Sequence, residues 1–157
     1  MTKAAVGDSS VQPSVTRPLL MSLRPRFAEA ILEGSKTVEL RRTRVSAVPG
    51  TTIIIYASSP VMSVVGLATL DAVDVDRPNA LWRRHGKNLG LTRAEFDVYL
   101  AGAESGCALT VTSPRQLPDP YALRWLRDHA DFQPPQSYRY LAARDPEPLH
   151  VLAGTNR

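Results

Sequence analysis

The sequence predicts an α+β domain built on a small mixed sheet or barrel. Short apolar runs of strand length are mixed with separated helical segments, and the two do not alternate as a doubly wound fold requires. Size agrees. A chain of 157 residues, 43% hydrophobic and 22% charged, makes one domain that buries about 70% of its unfolded surface.

The first ordered element is a short strand, Leu19 to Leu23, after an arm of small and polar residues over 1–17 that reads as disordered. Helix one runs from Pro25 to Glu33. Phe27, Ala28, Ile31 and Leu32 share one face, and Gly34 stops the helix. A strand from Lys36 to Arg42 follows, with Val38 and Leu40 on one face and Thr37, Glu39 and Arg41 on the other. Pro49-Gly50 turns the chain into Thr52 to Ala57, whose unbroken apolar run suits a strand buried on both faces.

The next strand, Met62 to Ala72, has Gly66 in its middle, the mark of a bulge or a close backbone approach. A helix spans Pro78 to His85. Another starts at Thr92, where Thr92 and Glu95 form a capping box and Leu91 and Phe96 a hydrophobic staple. Cys107 to Thr112 reads as a strand. Asp119-Pro120 opens a helix to Ala130, and an extended piece, Ser137 to Leu141, precedes a tail over 143–157. Trp82, Trp125 and the pair Tyr138 and Tyr140 are expected to pack against the core, and Cys107 to be an inert buried thiol.

Several classes are excluded. One cysteine permits no internal disulfide framework, and His85, His129 and His150 have no zinc-finger spacing, so neither metal nor cofactor is expected. No apolar run approaches the roughly 18 residues of a membrane span, and Gly7 to Ser10 interrupt any signal-peptide core. The expected location is cytoplasmic.

The net charge of +4 fits a polyanionic partner, and its distribution says more. Between Arg77 and Arg93 there are five cations and no acid, so Arg83, Arg84 and Lys87 are candidates for a phosphate-tracking surface. His85 beside them reads as a neutral surface histidine.

The informative segment is Gly34 to Arg41. A helix ends, the backbone turns, and a strand displays a hydroxyl, a carboxylate and cations within a few residues. Such a cluster holds a phosphate through its cations or a base edge through its carboxylate; a solvated strand face is the plain alternative. Arg24 before helix one, Ser58 at the end of the third strand, and Gln136, Ser137 and Arg139 after two prolines are further candidates for the same cleft.

Gly-x-Lys-x-x-Glu-x-Arg after a short helix resembles the signature of the ASCH domain, of the PUA-like superfamily. Ser22 to Pro25, Tyr56 to Pro60 and Pro134 to Leu141 match the surroundings, so the resemblance covers Leu19 to Leu141 and delimits a domain over 18–142. It implies a PUA-like β-barrel of five to six strands with flanking helices, and a cleft beside the Lys/Glu/Arg turn that binds RNA or a nucleotide. Some members deacylate N4-acetylcytidine with a lysine, a threonine three residues later and a distant glutamate. Lys36 matches that lysine, but Glu39 occupies the threonine's position.

The leading expectation is a binding module in which Lys36, Thr37, Glu39 and Arg41 hold a nucleotide or an unpaired RNA base. A hydrolase of RNA or of an N4-acylated nucleoside, using Lys36, Thr37 and Glu39, ranks second. An adaptor for a protein partner ranks third, and the oligomeric state is left open.

Overall fold

The computed structural model describes residues 16–154. The expected N-terminal arm therefore lies, over residues 1–15, outside the described residues. Six strands form one sheet: β1 (Leu19–Leu23), β2 (Val38–Arg41), β3 (Thr52–Ala57), β4 (Ser63–Asp76), β5 (Gly106–Ala122) and β6 (Tyr138–Tyr140). Their order is β2-β5-β4-β3-β1-β6, and only β1 and β3 run parallel. The sheet curls into a half-barrel, so the α+β expectation holds. Five α-helices accompany it among the described residues: α1 (Pro25–Glu33), α2 (Pro78–His85), α3 (Arg93–Tyr99), α4 (Leu123–His129) and α5 (Glu147–Leu152).

Alternation along the strands divides the apolar side chains among three clusters. Ile53 and Ile55 of β3 pack with Leu19, Met21 and Leu109 against Ala28 and Ile31 of α1. Ile54 and Tyr56 face the other way, onto Leu123 and Leu126 of α4 and Leu149 of α5. The third strand is thus buried on both faces, as its composition predicts. Val38 and Leu40 of β2 meet Leu81, Leu89, Phe96 and Leu100 in the third cluster, under α2 and α3. Trp82 flanks that cluster, 5.1 Å from Phe96 between ring centroids. Trp125, Tyr138 and Tyr140 pack beside the other two.

Four elements differ clearly from their expected bounds. One is β5, expected over Cys107 to Thr112, which runs from Gly106 to Ala122. β2 begins at Val38, leaving Lys36 and Thr37 in the turn before it. The strand expected to end at Ala72 continues to Asp76, because it pairs with β5 along its whole length, from Ser63 opposite Ala122 to Asp76 opposite Gly106. The helix expected from Asp119 starts only at Leu123; residues 117–122 belong to β5. β2 covers β5 only from Cys107 to Thr110. Pro114, Pro118 and Pro120 lie beyond that stretch, on an edge where a missing N–H leaves no ladder bond unmade.

Gly66 has the close approach its position implies. A Cβ there would lie 2.6 Å from Leu32 Cδ2 and 2.7 Å from the Arg115 carbonyl oxygen. The register also shifts between Val64 and Gly66. Residues 143–154, set apart as a tail, add α5, whose Leu149 is fully buried. Asp145, 4% exposed, accepts both Arg139 Nη atoms and the Ala142 N–H, which ties this segment to β6. No helix among the described residues is long and apolar enough to cross a membrane.

Candidate functional site

The edge strands of the half-barrel are β2 and β6, and a side chain joins them. Arg41 Nη1 donates to Ser137 Oγ, just before β6, at 2.9 Å. Its Nη2 donates to the Ser22 carbonyl of β1, also at 2.9 Å. Ser22 Oγ donates in turn to the Pro135 carbonyl. Hydrogen bonds from one guanidinium thus link the two ends of the half-barrel where no backbone ladder does.

Beside this closure lies a cleft of about 540 Å³. Its floor is charged and buried: Lys36 is 2% exposed, Glu39 6% and Arg41 8%. The turn after α1 produces this. Gly34 takes a left-handed conformation (φ 90°), and the Ser35 and Lys36 N–H groups both donate to the Ala30 carbonyl, folding the chain back under the helix. Lys36 therefore runs inward along the Phe27 ring, with Nζ 4.9 Å from its centroid. Nζ donates to the carbonyls of Val38 and Leu89 and ion-pairs with Glu39 Oε1 at 3.3 Å. The three contacts match the three donors of an ammonium. Burial, above all, lowers the Lys36 pKa below its ordinary value, while Glu39 pulls it back up.

Glu39 is held from its other side by Arg41, whose Nε lies 3.0 Å from Oε2. That contact lacks hydrogen-bond alignment, so the buried Nε–H has no acceptor among the described residues. The walls come from the end of β1, the start of α1 and one face of α3. Arg24 is an exposed cleft cation whose guanidinium has no hydrogen-bonding or ionic partner among the described residues. Across from it, Val98 and Tyr99 are 78% and 41% exposed.

Arg26 and Glu95 bridge the rim from α1 to α3 with two hydrogen bonds, at 2.8 and 3.1 Å. Arg26 holds the Glu95 carboxyl down at about 2, with help from the Thr92 N–H. The expected capping box is formed, and its glutamate has this second role.

The sequence candidates are distributed unevenly. Arg24, Lys36, Glu39 and Arg41 line the cleft, and Ser137 touches it through Arg41. Thr37 is exposed and is not among the lining residues, because it precedes the strand whose alternation would aim it inward. Ser58 donates its N–H to the Leu23 carbonyl but does not line the cleft, and Gln136 is exposed outside it. Arg139 turns to the opposite face of β6, onto Asp145 and the Phe132 ring.

The cationic stretch changes character in three dimensions. Arg84 donates to Asp74 and Asp76 of β4, and His85 Nε2 lies 2.7 Å from the same Asp74. Arg93 pairs with Asp97. Arg83 and Lys87 remain exposed without such partners among the described residues. Cys107 is fully buried, and burial raises its thiol pKa. Arg26, Glu95, Val98 and Tyr99 are cleft residues that sequence reasoning did not single out. Only the capping box marked α3, which carries the last three, and nothing in it shows which face meets Lys36.

Comparison with known proteins identifies relatives. The ASCH domain matches residues 21–116. An ASCH domain-containing ribonuclease of Zymomonas mobilis is 37% identical over 134 residues, spanning 85% of this chain and 90% of that protein. The crystal structure of ASCH from Zymomonas mobilis superimposes with a TM-score of 0.80 at 35% identity, covering 87% of this chain and 95% of that one. The large ribosomal subunit protein uL22 of Ureaplasma parvum is 22% identical over 135 residues, and the match spans 85% of this chain and 42% of that protein.

Proposed function

The chain belongs to the ASCH domain family, and we propose that it acts on RNA, seating one unpaired ribonucleotide in the cleft and cutting the phosphodiester beside it. The observation that carries this reading is the Glu39 carboxylate, buried between Lys36 and Arg41 at the floor of a cleft with an exposed arginine and a tyrosine on its rim. The ribonuclease name of a 37% identical relative supports cleavage ahead of binding alone.

Each group has a role matched to its chemistry. Tyr99 stacks on the base, and the Arg24 guanidinium takes a phosphate oxygen. The Arg41 guanidinium, fixed beside the cleft by Ser137 and Ser22, adds positive charge toward the same phosphate. Glu39 accepts the proton of the ribose 2′-hydroxyl. The O2′–P bond forms, the P–O5′ bond breaks, and O5′ takes a proton from water, leaving a 2′,3′-cyclic phosphate and a 5′-hydroxyl. Lys36 and Arg41 balance the negative charge that builds on the phosphorane oxygens. Lys36 itself is not the base, since its donors are committed to two carbonyls and Glu39. That commitment also disfavours the nucleoside-deacylating alternative, which needs a free lysine.

The test is a low-salt gel of end-labelled single-stranded RNA, scored for shift and cleavage, with wild type and Glu39→Gln. Cleavage by wild type alone, blocked by one 2′-deoxy substitution at the cut position, is the expected result. A shift with intact RNA would reduce the function to binding. Equal cutting of the deoxy-substituted strand would remove the 2′-hydroxyl mechanism, and neither shift nor cleavage would remove the RNA reading.

A further inference from the structure

A second cavity, of about 450 Å³, opens at the other end of β1. The cleft lies at the Ser22–Arg24 end; this cavity lies where Thr16 and Arg17 lead into Leu19 and where Thr51 leads into the parallel β3. Its lining includes Arg17, Arg44, Ser46, Thr51 and Tyr140, and no carboxylate among the described residues. We propose that this cavity at the opposite mouth of the half-barrel is a phosphate-binding site, with Arg17 and Arg44 as its two cationic arms.

The cavity is a built feature. Arg17 Nη2 donates to the Leu141 carbonyl at 3.0 Å, and its guanidinium lies 5.0 Å from the centre of the Tyr140 ring. Those contacts hold the planar fork in place, and its other N–H groups have no partner among the described residues. Ser46, on the facing loop, is pinned from both sides: its N–H donates to the Tyr138 hydroxyl, and its carbonyl accepts from the Tyr140 hydroxyl. Arg44 is exposed, with no hydrogen bond or ion pair among the described residues.

Charge pairing elsewhere sharpens the contrast. Arg26, Arg84, Arg93 and Arg139 each meet a carboxylate, whereas the two arginines lining this cavity meet none among the described residues. A phosphate between them gains charge-assisted, bidentate hydrogen bonds at small ordering cost, because one arm is already fixed.

The phosphate has two possible sources. Arg41 in the cleft and Arg44 here are three residues apart, so their Cα atoms are at most about 11 Å apart. A strand whose nucleotide occupies the cleft would bring a neighbouring phosphate within range. That source rests on the function proposed above; a free phosphate or a small phosphorylated ligand does not.

Wild type and Arg44→Ala, matched for thermal unfolding, are titrated with inorganic phosphate while the amide resonances of Ser46, Ala47 and Val48 are followed. Saturable shifts in wild type, with affinity about tenfold or more weaker in the variant, are expected. In parallel, single-stranded RNA affinity is measured against salt. A salt slope smaller by about 1 in Arg44→Ala assigns the site to a strand phosphate. An unchanged slope with phosphate binding lost assigns it to a small ligand. Phosphate binding as expected without any RNA affinity would leave this site standing and remove the cleft reading. Shifts that never saturate, or that Arg44→Ala leaves intact, overturn the proposal.

Discussion

Replacing Lys36 with methionine tests the charged floor of the cleft directly. The side chain is 2% exposed and makes three polar contacts, to the Val38 and Leu89 carbonyls and to Glu39. Methionine fills similar space but supplies no donor, so two carbonyls lose their partner and Glu39 keeps only Arg41. Removing one partner of a buried ion pair costs about 3–5 kcal/mol, against a total stability of about 5–15 kcal/mol for a single domain. The variant should stay folded, with its melting temperature lowered by roughly 6–20 °C. Urea unfolding reads the effect as a lower midpoint at constant slope.

A pH dependence separates this account from simple misfit. Burial lowers the Lys36 pKa below the ordinary 10.5. Between the lowered value and 10.5 the unfolded chain binds more protons than the native one, so Lys36 adds stability as pH rises through that window. The methionine variant lacks this contribution. A loss under about 1 kcal/mol, or an alkaline profile parallel to wild type, would refute the claim that Lys36 is held as a buried ammonium.

Three further outcomes are expected. Glu95 should titrate at about 2 by carboxyl carbon NMR, with Arg26→Ala returning it toward 4.5; the bridge's contribution to stability is complete above that ordinary value and is lost as pH falls through about 2, and an unmoved titration would mean the bridge does not form in solution. Gly66→Ala should lower stability by about 1–3 kcal/mol, because the new methyl meets Leu32 and the Arg115 carbonyl; an unchanged urea midpoint would contradict that contact. Tyr99→Ala should weaken RNA binding by about 1–3 kcal/mol with little effect on unfolding, since the side chain is 41% exposed, while unchanged affinity would move the base elsewhere.

Much of the fold was legible in the chain itself because it rests on local rules. α1 matches its expected bounds, since Pro25 and Gly34 act within a few residues of themselves. The Thr92–Glu95 box closes as expected for the same reason. The faces of β2 followed from alternation: Val38 and Leu40 enter one cluster, while Glu39 and Arg41 turn to the cleft. The two-sided burial of β3 followed from its unbroken apolar run. Asp119-Pro120 misled because its helix-start signal is also compatible with an unpaired strand edge. Pairing of Val64 with Tyr121 and Ser63 with Ala122 decided between them, and no local rule contains that pairing.

The cleft divides along the same line. The sequence by itself determined that a lysine, a carboxylate and an arginine follow a helix stop within six residues, Lys36 to Arg41. Tertiary structure decided which of them face one another. Lys36 points inward because its turn wraps the Ala30 carbonyl, and Arg41 is fixed by Ser22 and Ser137 from distant strands. It also decided that Arg84 is neutralised by Asp74 and Asp76 while Arg44 has no ionic partner among the described residues. Charge is written in composition, but its availability depends on which opposite charges the sheet brings within about 4 Å, where Coulomb attraction and hydrogen bonding become strong.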